Sequence, residues 1–237
     1  MLLGQRTIIG RLAGAVFGAS LIFASGGAMA KDLADLSNQD ASAGVKAALE
    51  RGSEVAVAKL GVPDGFLGNP KVKIPLPGFL KQGESALRMM GMGKQADELV
   101  VAMNRAAEAA VPAAKPLLIN AVKSMSLVDA KGILTGDDGS VTRFFKDKTQ
   151  QPLSVKFLPI VKQATEKVGL AQKYNEYAGQ GAKLGLVKGD AASVEQYVTQ
   201  KALDGLYTMI AEEEGKIRKD PVGAGSAILG KVFGALK

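Results

Sequence analysis

Histidine and cysteine, which supply much of the nucleophilic and metal-binding chemistry of proteins, are both absent from this 237-residue chain. The sequence therefore excludes a Ser-His-Asp triad, a cysteine nucleophile, a disulfide and any metal site made from these two residue types. Serine could still react beside a lysine, but no serine is followed by lysine three residues later. Carboxylate pairs could cleave glycosides, yet the aromatic platforms of such sites are scarce, with four tyrosines and no tryptophan. We expect a protein that is not an enzyme and needs no cofactor.

Two short patterns resemble ligand-binding loops without matching them. The run from Gly225 to Val232 approaches a Walker A loop, but Val232 occupies the position at which serine or threonine binds magnesium. Asp137-Asp138-Gly139 resembles part of a calcium loop, but the alternating oxygen ligands and the closing glutamate of an EF-hand are missing. We expect neither a nucleotide nor a metal at these positions.

Residues 1–30 have the pattern of a secretory signal peptide. Arg6 and Arg11 supply positive charge, residues 12–23 are apolar, and Ala28-Met29-Ala30 provides the small residues of a cleavage site. The apolar run is short for a membrane span. The sequence predicts export to the periplasm with cleavage after Ala30, which leaves residues 31–237 as the mature chain.

The dominant period of the mature chain is helical, which predicts a single compact all-α domain over residues 31–237. Its first stripe runs from Val45 to Leu60, and Gly91 with Gly93 separates two later stripes. Ser126 and Asp129 have the spacing of a capping box, and Pro112 and Pro116 favour a helix start. Asp137 is predicted to cap the helix that follows it. Pro159 is predicted to kink or divide a long helix that begins at Pro152.

The segment over residues 63–78 departs from the helical period. Glycine and proline crowd it, and Lys71-Val72-Lys73-Ile74 alternates between charged and apolar side chains. This pattern predicts a short β-hairpin or extended edge segment, with Val72 and Ile74 inward and both lysines outward.

Two segments of the chain, residues 132–148 and 185–201, resemble each other. They share Gly136 with Gly189, Asp137 with Asp190 and Ser140 with Ser193, and Phe144 aligns with Tyr197. An internal duplication of a helical hairpin would explain the match. The alternative is convergence on a common helix–turn–helix pattern, and in both cases the two aspartates are interpreted as helix caps.

The formal net charge of +7 is spread along the chain rather than gathered in a basic run. That distribution argues against nucleic-acid binding and favours weak attraction to anionic envelope components. No segment of the mature chain has the length and apolarity of a transmembrane helix. Residues 221–237 are apolar and basic, so they predict a terminal helix that either docks on the core or makes peripheral contact with a membrane.

Five runs together resemble a known family. They are DGFLGNPKVKIPLP at 64–77, GMGKQADELVVAMNRAAEAAVP at 91–112, DAKGILTGDD at 129–138, FLPIVKQATEKVGLAQKYN at 157–175 and TQKALDGLYTMIAEEE at 199–214. The chain resembles the bacterial exported family catalogued as domain of unknown function 4197. The resemblance implies export and a mostly helical domain, and it implies no activity, ligand or catalytic residue.

Two functions remain open at the level of sequence. The first is a non-catalytic periplasmic protein that binds an envelope component, another partner or an apolar small molecule. The second is a hydrolase or lyase that uses carboxylates and lysines, which a cluster of such groups in a deep pocket would favour. The candidate binding residues are polar and lie in the proline-rich segment or near the repeat turns: Asn69, Lys71, Lys73, Asp137, Arg143 and Asp190.

Overall fold

Helix α1 (Asn38–Leu60) carries the first predicted stripe, and Val45, Ala56 and Leu60 are fully buried. A hydrogen bond from the Gly61 N–H to the Val57 carbonyl, at 2.8 Å, closes its last turn. The computed structural model describes residues 38–183 and 192–220 of the chain. The predicted signal peptide and residues 221–237 therefore lie outside the described residues.

A short helical arm leads from the proline-rich segment into α4. It consists of α2 (Gly78–Gln82) and α3 (Glu84–Met89), and it is followed by α4 (Gly93–Ala110). Gly91, with φ of +76°, donates to the Arg88 carbonyl at 3.1 Å, and Met92 donates to Leu87 at 2.8 Å. These two bonds form a Schellman turn, in which glycine is favoured at the left-handed position. The predicted break between the two stripes is confirmed.

Helices α5 (Lys115–Lys123) and α6 (Leu127–Thr135) follow α4 through a 3-10 turn at Val111–Ala114. Pro112 lies in the 3-10 turn and Pro116 in the first turn of α5, as the helix-start pattern predicted. Ser126 and Asp129 form the predicted capping box at the start of α6. The Asp129 N–H donates to Ser126 Oγ at 3.1 Å, and the Ser126 N–H donates to Asp129 Oδ2 at 3.0 Å.

The capping box leads to a testable stability difference. Ser126→Ala removes the acceptor for the Asp129 N–H, so we expect the free energy of unfolding to fall by about 1 kcal/mol. Ser85→Ala, in the exposed arm helix α3, is the matched control and should change it by no more than about 0.5 kcal/mol. Urea denaturation of both variants makes the comparison, and equal midpoints would contradict a stabilising cap at Ser126.

Helix α7 (Ser140–Thr165) corrects three predictions: that a helix begins at Pro152, that Pro159 divides it, and that Asp137 caps the helix that follows it. It begins twelve residues before Pro152 and continues through both Pro152 and Pro159, so neither proline divides it. Both prolines lie on its exposed side, where water can bond the carbonyls that lose their helical donors. Asp137 does not cap α7, because Gly139 is the N-cap residue.

Helices α8 (Gly169–Lys183) and α9 (Val194–Lys219) complete the described fold. Helix α9 packs against α7, α1 and α4, and its buried side chains join one continuous apolar core. The Ser193 Oγ accepts the Gln196 N–H at 3.2 Å and caps α9. The mostly helical fold class is thus confirmed.

The predicted β-hairpin is wrong: no residue between 38–183 or 192–220 forms a strand. The side chains nevertheless alternate between buried and exposed as predicted. Val72 and Ile74 are buried, while Lys71 and Lys73 are exposed. The segment is not a strand because its backbone groups pair elsewhere. The Val72 and Lys73 N–H groups donate to the Asn69 carbonyl in a turn, and the Ile74 N–H donates to the side chain of Asn104 on α4.

The internal duplication is not supported. Residues 185–191, including Asp190, lie outside the described residues. In the described parts of the two segments, Val141, Phe144 and Val194 are buried and Tyr197 is half-buried. This shared apolar face is what helix–turn–helix convergence also produces.

Candidate functional site

The proline-rich segment, residues 61–77, is fastened to α4 by buried polar side chains, and we call it the anchored loop. The Phe66 and Leu67 N–H groups both donate to Glu108 Oε1 at 3.0 Å. The other oxygen of Glu108 accepts from Arg105 Nη1 at 2.7 Å, and Arg105 also donates to Asp64 Oδ1 at 2.8 Å. Glu108 is only 5% exposed, so these bonds satisfy a carboxylate that burial would otherwise penalise.

Asn104 is the second anchor, one helical turn before Glu108. Its Oδ1 accepts the Ile74 N–H at 2.8 Å, and its Nδ2 donates to the Ile74 carbonyl at 2.8 Å. The same amide nitrogen also donates to Val100 O at 2.7 Å. Asn104 is fully buried, so one carboxamide satisfies both backbone groups of Ile74 where water does not reach it.

The other side of the anchored loop touches α9 at a glycine. A β-carbon on Gly205 would lie 2.6 Å from Phe66 Cε1 and 3.3 Å from Val72 Cβ, so only glycine allows this approach. Nearby on α9, the Tyr197 hydroxyl donates to the Pro75 carbonyl at 3.2 Å. The loop is therefore fixed by α4 on one side and by α9 on the other.

These contacts create a groove of about 520 Å³ between the anchored loop, α2 and α9. Four lysines line it: Lys71 and Lys73 from the loop, Lys81 from α2 and Lys201 from α9. Among the described residues, Asp204 is the single carboxylate on the same lining. We call this feature the lysine groove, and its excess of ammonium groups suits an anionic ligand.

Two of the four lysines already have partners. Lys71 Nζ lies 2.7 Å from Glu212 Oε1, and Lys201 Nζ lies 3.5 Å from Asp204 Oδ2. Lys73 and Lys81 make no ion pair with any residue in the described ranges, and both are exposed. Their charges are the ones best placed to meet an incoming anion.

The candidate residues chosen from the sequence fall into separate places. Asn69, Lys71 and Lys73 lie in the anchored loop, and the two lysines reach the lysine groove. Asp137 and Arg143 lie outside that groove and pair with each other at 2.7 Å. The Arg143 guanidinium lowers the pKa of the Asp137 carboxyl, whose Oδ1 also accepts the Gly139 N–H at 2.9 Å. The ion pair between Asp137 and Arg143 therefore stabilises the turn that precedes α7.

The sequence did not indicate Lys81, Lys201 and Tyr197 as groove residues. Lys201 and Tyr197 lie more than a hundred residues from the anchored loop, and the helical pattern of α9 does not show which side of the helix meets that loop. The sequence pattern of α4 could have indicated the anchors Asn104 and Glu108. These two polar residues lie one turn apart on a helix that also carries the buried Leu99, Met103 and Ala107. Buried polar groups in such a position need partners.

The buried carboxylates of α9 have structural partners. Glu213 Oε1 bonds both Lys59 and Lys216 at 2.7 Å. Glu214 Oε1 accepts from Arg218 Nε at 2.9 Å, and burial raises the pKa of Glu214 despite that bond. Glu214 borders a cavity of only about 20 Å³, which has room for one water molecule rather than a substrate or apolar ligand.

A metal-binding cluster and a membrane-spanning helix are both absent from the described ranges. No set of three or more acidic side chains there is arranged to hold a metal ion. Within the same ranges, every helix is too short or too polar to cross a bilayer.

The comparisons with known proteins gave one match. A family model described as "Protein of unknown function (DUF4197)" matches residues 35–234. That range includes the anchored loop, α4 and α9, from which the lysine groove is built. No curated protein and no solved structure matches the chain.

Proposed function

The chain belongs to the DUF4197 family of proteins of unknown function, and we propose that it is a non-catalytic binding protein that holds an anionic partner in the lysine groove. The observation that carries the proposal is the convergence of Lys71, Lys73, Lys81 and Lys201 on one groove from three separate elements. Phosphate or carboxylate groups of the partner would meet these ammonium ions.

The rigidity of the groove supports binding. The anchored loop is tied to α4 by Asn104 and Glu108, so Lys73 is presented on a fixed backbone. A preformed site loses less conformational entropy when its partner arrives. The long lysine side chains remain adaptable, which suits a partner recognised by charge rather than by exact shape.

Binding is better supported than hydrolysis or lyase chemistry. The buried acids Glu108, Glu213 and Glu214 are each bonded to arginine or lysine, and Glu214 adjoins a cavity with room for only one water molecule. General acid–base catalysis needs such groups within reach of a substrate. Of the described residues that line the lysine groove, only Asp204 is an acid, and it is paired with Lys201.

The compartment forms part of the same proposal. The pattern of residues 1–30 favours export and cleavage after Ala30, which would place the lysine groove in the periplasm. Anionic lipid head groups and anionic polymers of the envelope are the partners whose charge complements the groove. Residues 221–237 would add a peripheral membrane contact.

Removing the two unpaired lysines tests this function. Each lysine near an anionic surface contributes about 1 kcal/mol, so Lys73→Ala with Lys81→Ala should weaken envelope binding at low salt by roughly 10- to 30-fold. Neither change removes the ion-pair partner of a carboxylate, so the free energy of unfolding should stay within about 0.5 kcal/mol of wild type. Co-sedimentation with purified envelope fragments measures the binding.

The control removes the same charge elsewhere. Lys94→Ala with Lys173→Ala affects two exposed lysines that do not line the groove. This control variant should bind as tightly as wild type. High salt should release the wild type and the control variant alike, because screening weakens interactions between exposed charges. Equal, salt-insensitive binding by all three proteins would contradict the proposal.

A further inference from the structure

Two neighbouring methionines lie at the outer end of the arm, where α3 turns back into α4. Met89 is the last residue of α3, and Met90 is its C-cap residue. Their exposed fractions are 84% and 72%, so both side chains protrude into solvent. Among the described large apolar residues, only Val128, at 80%, is comparably exposed. We call Met89 and Met90 the methionine tip.

The packing of the arm does not use the methionine tip. Leu80 is buried, and Leu87 and Met92 are partly buried against the core, so these three residues attach the arm to the rest of the fold. No residue of α3 is fully buried. Apolar side chains that folding leaves exposed side by side are candidates for contact with a partner or a membrane.

The lysine groove begins on the same arm. Lys81 on α2 lines the groove, and it precedes Met89 by eight residues, which at the rise of a helix is a separation of roughly 12 Å along the arm. A broad surface in contact with the methionine tip therefore also lies near the lysine groove. Lys73 and Lys81, which make no ion pair with any described residue, are then available to attract that surface if it is anionic.

The charges beside the methionine tip offset one another. Arg88 Nη2 lies 2.8 Å from Glu84 Oε1 and 2.7 Å from Asp97 Oδ1. Because one guanidinium engages both carboxylates, their repulsion of an anionic surface is reduced. The tip thus supplies apolar contact, and the lysine groove supplies the attraction.

We propose that the methionine tip inserts into the surface of an anionic lipid bilayer while the lysine groove binds the lipid head groups. The inference rests on the proposed function, and it selects lipid over a soluble anionic polymer as the partner of the groove. A protein partner would need an interface of roughly 20–30 residues a side, whereas a bilayer accepts two protruding side chains without shape complementarity. Peripheral binding grows with the apolar area inserted and with the attraction to anionic lipids, so tip and groove act together.

Vesicles made of equal parts phosphatidylglycerol and phosphatidylcholine are the probe, and co-sedimentation measures binding. Met89→Gln with Met90→Gln keeps the length of both side chains but removes their apolar character, so it should weaken vesicle binding by roughly 10- to 100-fold. Val128→Gln with Val155→Gln is the matched control, because these side chains are 80% and 63% exposed and lie on α6 and α7. The control should bind as wild type does. Every variant keeps both ends of the chain unchanged, so a difference between them reports on the arm.

A single tryptophan measures insertion directly, because the chain contains none. The emission of Met90→Trp should shift to shorter wavelength when vesicles are added, and bromine-labelled lipids should quench it. Val128→Trp, on a helix that packs against α1 and α7, should show neither change. Absence of both signals from Met90→Trp, or equal signals from the two variants, would overturn the proposal.

The lysine variant separates this inference from the proposed function. Lys73→Ala with Lys81→Ala should weaken binding to the vesicles as well as to envelope fragments. If it does so while the methionine variant binds vesicles as tightly as wild type, the tip plays no part, and only the proposed function survives. Binding of wild type to soluble polyphosphate but not to vesicles would likewise overturn the inference and keep the anionic partner. Equal envelope binding by the lysine variant and wild type would contradict the proposed function, on which this inference rests.

Discussion

Asn104→Ala should lower the free energy of unfolding by about 3–5 kcal/mol, because it leaves two buried backbone groups without a hydrogen-bond partner. The Ile74 N–H and carbonyl each lose their partner at 2.8 Å, and Ile74 is only 1% exposed. Water cannot replace the carboxamide without opening the contact between the anchored loop and α4. Urea denaturation followed by circular dichroism measures the loss.

Asn120→Ala separates this effect from the general consequence of an asparagine-to-alanine change in a helix. Asn120 is exposed on α5, so its replacement should leave stability within about 0.5 kcal/mol of wild type. A loss of less than about 1 kcal/mol for Asn104→Ala would mean that Ile74 finds other partners. In that case the anchored loop would not depend on α4 as described above.

Gly205→Val should destabilise the protein by about 3 kcal/mol through overpacking. The new side chain would begin 2.6 Å from the Phe66 ring, which is fully buried. The loop would have to move away from α9, so the lysine groove would also change shape. We therefore expect weaker envelope binding together with the loss of stability.

Gly215 offers a control in the same helix. A β-carbon there meets nothing within 4 Å, so Gly215→Val should remain within about 0.5 kcal/mol of wild type, since valine favours a helix slightly more than glycine does. Thermal and urea unfolding of both variants make the comparison. Equal stability of the two variants would show that α9 and the anchored loop do not meet as tightly as the distances indicate.

Local pattern was enough to predict most of the helices. The stripe from Val45 to Leu60, the capping box at Ser126 and the break at Gly91 each depend on residues within one or two turns of each other. The prediction that Pro159 divides a helix was wrong because the effect of a proline depends on which side of α7 meets water. That property is set by tertiary packing. The strand prediction failed for a similar reason, since Asn104 is thirty residues from Ile74.

The candidate site was only half predictable. Lys71 and Lys73 alternate with buried residues, so the sequence alone placed them on one exposed side. Lys81 and Lys201 join them only because Gly205 lets the loop approach α9, and no local pattern records that approach.

The carboxamide of Asn104 also bears on self-association. Val72, Ile74 and Leu76 are alternating apolar residues, and a segment of that kind can be extended by a strand from another molecule wherever its backbone groups are unpaired. In the folded chain both pairing groups of Ile74 are occupied by Asn104, and Pro75 and Pro77 have no N–H to offer. A strand from another molecule therefore finds no ladder to extend at this position. The N–H and carbonyl of Ile74 are therefore open to pairing with another molecule only before α4 has folded against the loop.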